Sequence, residues 1–595
     1  MEIILMSFRS HGADLGAWWK LTPVASLLLF LAFSVAVCVF YHHGYVGIVT
    51  PDVAYMDTLR LITYYDEMER GNISIRDVWA TGAHRGLIAQ FILNSNVEIF
   101  NLDILLANLA SGWVICATAI MIAIVYTLGG EDKIRMRLRD LLFFLILLIS
   151  MYSLASFEVM TLDFGLTLFL KNIIFISYFI FLAFSLRQES VGLGYPLLAG
   201  LLSLPIILLV GMGWSYAFVL ACVFMLALFF RKGGGRPLRA LIPGAFIILS
   251  IALYVFLGNG VGVSSGGHGV SGDGWMFNSI KSFVLGFFSV FWGVEVSQSI
   301  GVPEYFCYFG GGVLFLLCSI LLIRAVLDHR REVFFPYVIM VYGIGCIFSI
   351  AISRGASDPS LSQASRYFMD YVLVFIGASW VVLNKMGKEE GPGWRLVQVL
   401  WGMCVILFFV GQGVTQFHEW QKAPYRAYSF DAMRQAALAG EVDANVVSIF
   451  QGHNVDSVRS AFDIQRKRRL SIFSGIRNIS CDESPFSFGK GWFAEEPGGR
   501  WMSAESELKT AGCLERISLY FYHPENLAER ELLVLDSDGS ELARHLLIHG
   551  SSEFKLDIGK KQGSIYFRIY PVPEVVPGSP DKRVLGAFLV GYEGN

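Results

Sequence analysis

The chain has 595 residues, of which 54% are hydrophobic and 16% are charged, and its formal net charge is -3. This composition excludes an ordinary soluble globular protein of the same length, and the small negative charge gives no indication of a nucleic-acid partner. We therefore predict a polytopic α-helical membrane protein in contact with membrane lipid.

Apolar segments near the length that crosses a bilayer predict about eleven transmembrane helices. A shorter apolar run, 283–294, is predicted to be interfacial or re-entrant because it is too short to span. The predicted spans are residues 21–41, 102–128, 141–157, 164–186, 196–210, 214–230, 238–257, 306–327, 335–353, 370–383 and 397–410.

Basic residues predict the orientation of these spans, because Lys and Arg in short loops stay cytoplasmic. They cluster in four connecting segments that lie on one face under this assignment, at 133–139, 231–236, 324–331 and 385–395. The segment 42–101 and everything after residue 412 are then predicted to lie outside the cytoplasm.

The segment 42–101 is too polar for hydrocarbon, although spans hold it at both ends. Asp52 and Asp57 follow the first span, and either carboxylate could take a proton from an acceptor hydroxyl. The alternative is that both are solvated loop acids. His84 and Arg85 lie where the chain returns to the membrane, and a cation there suits a phosphate group. The alternative for Arg85 is contact with lipid headgroups.

Further ionisable residues lie near the predicted outer ends of later spans. Glu158 and Asp163 bracket one outer turn, where charges are costly unless they are used or paired, and Lys171 follows in the next span. Lys171 is predicted either to pair with Asp163 or to contact the substrate directly.

Another outer segment carries Arg354 at one end and Arg366 with Tyr367 at the other. An Arg beside an aromatic residue at a membrane boundary could hold a polyprenyl phosphate. Anchoring at the membrane interface would predict the same pair of residue types.

The composition changes to a soluble pattern near the end of the last span. We predict a membrane domain at 1–415 with its external loop at 42–101, a helical linker region at 416–480, and a β-sandwich at 481–595. Short strand-like runs predict strands at 516–522, 531–535, 553–556, 564–570 and 584–591.

Seven cysteines lie in predicted spans, which leaves Cys481 and Cys513 in the soluble region. Outside the cytoplasm this pair is expected to form a disulfide. No HExxH, paired CxxC or GxxxxGK[ST] motif occurs, so zinc-protease, zinc-finger and P-loop functions have no support. No cofactor or metal site is predicted, and a requirement for a divalent metal stays open.

Several short motifs resemble bacterial membrane proteins related to the GT-C glycosyltransferases. They are Asp77-Val78-Trp79 followed by Ala83-His84-Arg85, Glu158 in the second outer turn, and Ser365-Arg366-Tyr367 at the start of a late span. The runs 468–473, 499–501 and 579–586 resemble the extramembrane region attached to many of these proteins.

The resemblance implies a GT-C-like enzyme of the bacterial inner membrane with an extracytoplasmic C-terminal domain. Such an enzyme moves a sugar from a polyprenyl-phosphate carrier to an envelope glycan or a surface protein, and a first-loop acid serves as base. By its position, Asp52 is the expected base, and Asp57 is the second candidate. Arginine or lysine side chains would stabilise the departing phosphate.

Two other classes of function remain open at this stage. A transporter or flippase of lipid-linked glycans would also place charges in its spans, close to the midplane and often within internal repeats. An envelope acyltransferase would act at the same surface and could use His84 as its base.

Overall fold

The chain folds into a helical bundle followed by a region of β-strands. The computed structural model describes residues 23–50, 52–80, 86–129, 138–162, 164–187, 192–232, 237–258, 274–327, 334–386, 391–439, 450, 455–474, 486–496, 499–511, 516–524, 529–558, 562–573 and 585–594. The α-helices, in chain order, are α1 Pro23–Val37, α2 His43–Val49, α3 Asp57–Glu69, α4 Ile75–Ala80, α5 Ile88–Phe100, α6 Ile104–Gly129, α7 Leu138–Met151, α8 Phe157–Thr161, α9 Gly165–Arg187, α10 Gly194–Val210, α11 Met212–Lys232, α12 Leu238–Gly258, α13 Trp275–Phe288, α14 Val294–Ser299, α15 Glu304–Leu327, α16 Phe335–Ser353, α17 Phe368–Lys385, α18 Pro392–Ala439 and α19 Val455–Arg468.

Within the described residues, ten helical segments are long and apolar enough to cross a membrane. The shorter apolar helix α10 joins them in the bundle, and each predicted span overlaps one of these eleven segments. The prediction of a mostly helical protein with many long apolar helices is therefore confirmed. The ten segments are Leu27–Val49, Ile104–Gly129, Arg139–Thr161, Gly165–Arg187, Gly213–Arg231, Leu238–Leu257, Glu304–Leu327, Phe335–Ser353, Ser365–Lys385 and Gly393–Leu438.

Helix α18 is longer than the sequence predicts. It runs without a break for 48 residues, so the predicted domain boundary at residue 415 falls inside it. Two side-chain contacts fix it to its neighbours at that level: Gln412 donates to the carbonyl of Val290, and Gln416 donates to the Ser153 hydroxyl. The bundle and the following segment are thus joined by one continuous helix.

A second hydrophobic core forms where the segment 52–101 meets the chain after α18. We call it the loop core; it includes Ile62 from α3, Leu93 from α5 and Phe462 from α19. The segment predicted as a helical linker therefore packs against the first polar loop. Burial of such side chains is the main favourable term holding the two together, at about 1.5–3 kcal/mol for each fully buried one.

The backbone at this contact is unusual. The described non-glycine residues with positive φ all lie at or beside it: Met56, Asn101, Leu102, Arg469 and Ser471. Two backbone bonds hold three of them across the contact, from Met56 N to Phe450 O at 3.0 Å and from Ser471 N to Asn101 O at 2.8 Å. Strained residues of this kind persist only where the surrounding structure fixes them.

The C-terminal region contains two antiparallel five-stranded sheets with strand orders β1-β4-β9-β6-β7 and β2-β3-β10-β5-β8. Both contribute to one core, for example Phe567 from the first sheet and Phe521 from the second. The strands are β1 Phe486–Phe488, β2 Trp492–Glu496, β3 Gly499–Met502, β4 Glu505–Ala511, β5 Arg516–His523, β6 Arg530–Leu535, β7 Glu541–Leu547, β8 Gly550–Asp557, β9 Gln562–Tyr570 and β10 Ala587–Gly594.

All five predicted strands correspond to observed strands, namely β5, β6, β8, β9 and β10. The sequence missed β1–β4 and β7. These strands are either very short or rich in charged residues, as in Glu505–Ala511, which reads ESELKTA. Strand pairing in the sheet, rather than local pattern, places them.

Candidate functional site

The site is built at the end of the bundle where α3 lies, which we call the loop end. A 3₁₀ turn, Ser365–Tyr367, leads into α17 there. Arg366 Nη1 lies 3.4 Å from Glu158 Oε1, and the Ser365 hydroxyl donates to Glu158 Oε2 at 2.8 Å. Glu158 is in the first turn of α8, where the helix dipole favours a carboxylate. Two segments far apart in the chain are thus joined by one carboxylate.

Asp57 brings a second carboxylate to this group. It is the first residue of α3 and follows Met56, whose φ is +54°. Asp57 Oδ1 accepts a hydrogen bond from Arg60 Nη2 at 3.1 Å, and the Asp57 charge also acts on the Arg366 guanidinium, more weakly than that of Glu158. Arg366 and Glu158 are thus in direct contact, and Asp57 lies within electrostatic range of Arg366.

An aromatic side chain lies under two guanidinium groups beside these carboxylates. The Cζ atoms of Arg354 and Arg366 lie 5.9 Å and 5.6 Å from the centre of the Tyr367 ring. Tyr367 stacks on Tyr371, with ring centres 6.0 Å apart. Arg366 Nε is buried without a hydrogen-bond partner in the described part of the chain. Two cations and an unpaired donor at one place suit an anionic oxygen-rich ligand such as a phosphate.

Lys171 lies deeper, between the helices. It is 1% exposed and forms an ion pair with Asp370. Its Nζ also donates to Asn172 Oδ1 at 3.0 Å and lies 4.2 Å from the centre of the Trp214 ring. The Lys171 side chain is enclosed between helices, whereas the Arg366 side chain is 28% exposed, so we do not group Lys171 with Arg366. The partner that the sequence suggested, Asp163, lies outside the described residues.

Asp52 occupies a different position from Asp57. Its side chain is 64% exposed, and Oδ2 lies 3.9 Å from Arg434 Nε. The backbone carbonyl of Asp52 accepts from the Ser471 hydroxyl at 3.3 Å. Desolvation by the surrounding chain raises the pKa of the Asp52 carboxyl, Arg434 opposes this shift, and Asp103 reinforces it. The charged neighbours of Asp52 are therefore Arg434 and Asp103, and Arg366 is not one of them.

Several predicted residues cannot be placed. His84, Arg85, Asp163, Cys481 and Cys513 lie outside the described residues. The proposed phosphate contacts of the first two, the role of Asp163, and the disulfide stay predictions.

A cluster that the sequence analysis did not single out lies between α14 and α18. Glu295, His418 and Glu419 bring potential metal-ligand atoms within 4.8 Å of one another. However, Arg426 Nη2 lies 2.7 Å from Glu295 Oε2 and 2.6 Å from Glu419 Oε2. A guanidinium thus already binds both carboxylates, and a cation would have to displace it. The residues present fit an ion-pair network better than a metal centre.

Spacing in the sequence could have revealed part of what was missed. Arg60 follows Asp57 at the i,i+3 spacing that pairs charges on a helix, and Glu419 and Arg426 are separated by two helical turns. Asp370 gave no local signal, because its partner Lys171 lies in another helix.

Comparison with known proteins adds no relative to this picture: no family model, no curated protein and no solved structure matches the chain. The function of the chain is therefore inferred from the geometry at the loop end and from the short motifs.

Proposed function

We propose that the protein is a membrane glycosyltransferase of GT-C-like fold that moves a sugar from a polyprenyl-phosphate carrier to an envelope glycan or a surface protein. The observation that carries this proposal is the Arg366 guanidinium, which Glu158 fixes at 3.4 Å. This guanidinium shares the Tyr367 ring with Arg354, while the Asp57 carboxylate lies within electrostatic range of it. Sugar transfer from a phosphate carrier needs both a base for the acceptor hydroxyl and a cation for the departing phosphate.

In this proposal Asp57 is the catalytic base, and Asp52 is the alternative candidate for that role. The charge of Asp57 acts on Arg366. The charged neighbours of Asp52 are instead Arg434 and Asp103, which supports this order. Arg366 binds the phosphate of the carrier together with Arg354. Glu158 is a positioning residue: it orients Arg366 directly and holds the turn through Ser365.

The membrane context is part of the proposal. Ten apolar helices support a multi-pass protein, and the basic segments 133–139, 231–236, 324–331 and 385–395 favour a cytoplasmic position for the opposite end. The loop end and the β-strand region would then face the outside of a bacterial inner membrane. This is the side on which a polyprenyl-linked sugar and an envelope acceptor would meet.

A transporter of lipid-linked glycans is the second candidate, and the buried Lys171–Asp370 pair is the observation in its favour. Lys171 is the seventh residue of the span Gly165–Arg187, which places it about 10 Å from the end of that helix. The midplane lies about 15 Å from the hydrocarbon edge. The pair is therefore closer to the loop end than a midplane transport site would be, which favours the transferase.

A direct assay separates these functions. The full-length protein in sealed proteoliposomes is given a radiolabelled polyprenyl-phosphate sugar with envelope glycan and surface protein, and in parallel a labelled acyl carrier. We expect label from the sugar carrier in the glycan or protein fraction and none from the acyl carrier. Acyl transfer, or movement of the intact lipid-linked sugar across the bilayer without transfer, would contradict the proposal.

A further inference from the structure

Three residues that line one cavity beside the Asp57 helix each carry a buried polar atom without a hydrogen-bond partner among the described residues. The atoms are Arg60 Nε from α3, Gln90 Oε1 from α5 and Thr167 Oγ1 from α9. The three residues belong to different elements, so their convergence is a property of the fold and not of one local sequence.

Polar atoms that are buried without a hydrogen-bond partner destabilise the fold unless water or a ligand binds them. Gln90 and Thr167 are 3% and 2% exposed, so this destabilisation of the folded state applies to both. Buried groups of this kind normally meet water or a ligand.

Local geometry explains why neither side chain satisfies itself. Thr167 is the third residue of α9, so no carbonyl of that helix lies four residues before it. The Gln90 amide nitrogen donates to Leu61 O at 3.0 Å and to Asn94 Oδ1 at 2.8 Å. Those two bonds fix the amide and leave its oxygen without a donor.

The cavity has the size of a subsite. It measures about 30 Å³, which is room for about two water-sized groups, within a depression of about 460 Å³ that includes space open to solvent. Val78, Ile88 and Val210 form apolar parts of the wall. A few polar atoms in an apolar wall is the usual construction of a small-molecule pocket.

The charges favour a neutral ligand. Arg60 is the lining cation, and its Nη2 already pairs with Asp57 Oδ1 at 3.1 Å. An anion would face the Gln90 carbonyl oxygen, and a cation would face the guanidinium. A hydroxyl group meets the requirements of all three atoms, since it accepts from Arg60 Nε and donates to Gln90 Oε1, while the Thr167 hydroxyl can do either.

We propose that this cavity binds one or two hydroxyl groups of the transferred sugar and so contributes to the choice of sugar. The inference rests on the proposed glycosyltransferase function. The Asp57–Arg60 pair links the cavity to the carboxylate proposed as base, because the two residues are one helical turn apart.

The test uses three variants of the full-length protein in nanodiscs. Thr167→Val removes the hydroxyl and keeps the shape, and Thr167→Ser restores a hydroxyl. The matched control is Thr118→Val, because Thr118 is also buried in an apolar helix but its hydroxyl donates to Val114 O at 2.8 Å. Transfer is measured with a polyprenyl-phosphate sugar and with analogues of it that each lack one hydroxyl.

For the complete sugar, we expect Thr167→Val to lower kcat/KM by roughly five- to tenfold, the scale of one lost hydrogen bond, mainly through KM. Thr167→Ser should recover most of this loss, and Thr118→Val should match wild type. For one deoxy analogue, wild type should lose a similar factor and Thr167→Val should lose nothing further, because the missing hydroxyl is the partner of Thr167.

Two results would overturn the inference. The first would leave the proposed glycosyltransferase function intact, and the second would contradict that function as well. If the wild type transfers sugar but every deoxy analogue loses the same factor in wild type and in Thr167→Val, the cavity holds only water and the glycosyltransferase function stands. If the wild type transfers no sugar from any polyprenyl-phosphate carrier, the proposed function fails and the sugar subsite fails with it.

Discussion

Arg366 and Glu158 form an ion pair at the loop end, with Nη1 and Oε1 3.4 Å apart. The two residues lie at the starts of different helical segments, and the Ser365 hydroxyl adds a second bond to the same carboxylate. The guanidinium is therefore held in place before any ligand arrives. A pre-positioned cation costs less entropy on binding than a free one, which is why we assign it to the phosphate.

The first prediction concerns that phosphate contact. Arg366→Ala should raise the KM for the lipid-linked sugar by roughly tenfold or more, because it removes a charge-assisted bond made in both ground and transition states. Arg366→Lys should recover only part of the loss, since an ammonium cannot reproduce the planar fork. Steady-state transfer kinetics measure both. A lower kcat at unchanged KM would assign Arg366 to the transition state instead.

The second prediction concerns the buried pair of Lys171 and Asp370. Lys171→Met leaves Asp370 as an unpaired buried charge and should destabilise the protein by about 3–5 kcal/mol. The double variant Lys171→Met with Asp370→Leu removes both charges and should recover most of that stability. Thermal unfolding in detergent compares the variants with wild type.

Transfer activity of the double variant then gives a second result. We expect it to retain activity, since the pair is assigned a structural role between α9 and α17. A double variant that is stable but inactive would return Lys171 to the group of substrate-binding residues.

The third prediction concerns the contact between α3 and α19. Arg468 Nη2 lies 2.7 Å from Asp66 Oδ1, and Nη1 lies 2.5 Å from Glu69 Oε2. Asp66 is 3% exposed, so Arg468→Ala should weaken local stability by about 1–3 kcal/mol and speed hydrogen exchange across α3. The control is Arg459→Ala on the same helix, where Arg459 lies 3.7 Å from the exposed Asp456. Equal exchange in the two variants would show that α19 does not hold α3.

The fourth prediction concerns pH and strand β7. Burial lowers the pKa of His545, whose ring lies 5.0 Å from that of Phe554. The unfolded state then binds the proton more readily than the folded state. The contribution of neutral His545 to the free energy of unfolding is therefore fully present above a pH of about 6.5 and decreases as the pH drops below it.

His545→Gln should remove this acid sensitivity, and His549→Gln, on the exposed turn after β7, should not. Hydrogen exchange of peptides covering residues 541–557, corrected for the intrinsic effect of pH, measures the difference between pH 7.5 and pH 5.5. An unchanged acid response in His545→Gln would exclude this residue as the cause.

The sequence predicts the long apolar helices well because length and apolar composition are both local properties. It predicts β5 and β9 for a similar reason, since Ile517, Leu519 and Phe521 alternate with exposed or half-exposed residues. The sequence predicted a span at 397–410 and a separate helical region from residue 416, whereas one helix runs from Pro392 to Ala439, because apolar composition stops near Gln412 while the helical backbone continues. Loss of hydrophobicity marks the end of a span and not the end of a helix.

The site was only partly predictable, because its pairings are long-range. Asp57, Glu158 and Arg366 were each named from their positions near predicted outer ends. Their grouping, and the separation of Asp52 toward Arg434, depend on how α3 packs in the loop core. The pairing of Lys171 with Asp370 depends in the same way on the packing of α9 against other helices. No spacing rule within one segment carries that information.

The central claim is that Asp57 is the base of a sugar transferase, and Asp57→Asn tests it most directly. Asparagine keeps the size and removes the proton acceptor, so the transfer rate from a polyprenyl-phosphate sugar should fall by roughly 10²-fold or more. Asp52→Asn should have a much smaller effect, and Asp456→Asn, at a side chain 94% exposed, should have none. An Asp57→Asn variant that is folded and transfers sugar at the wild-type rate would contradict the account, and loss of transfer in Asp52→Asn alone would move the base to Asp52.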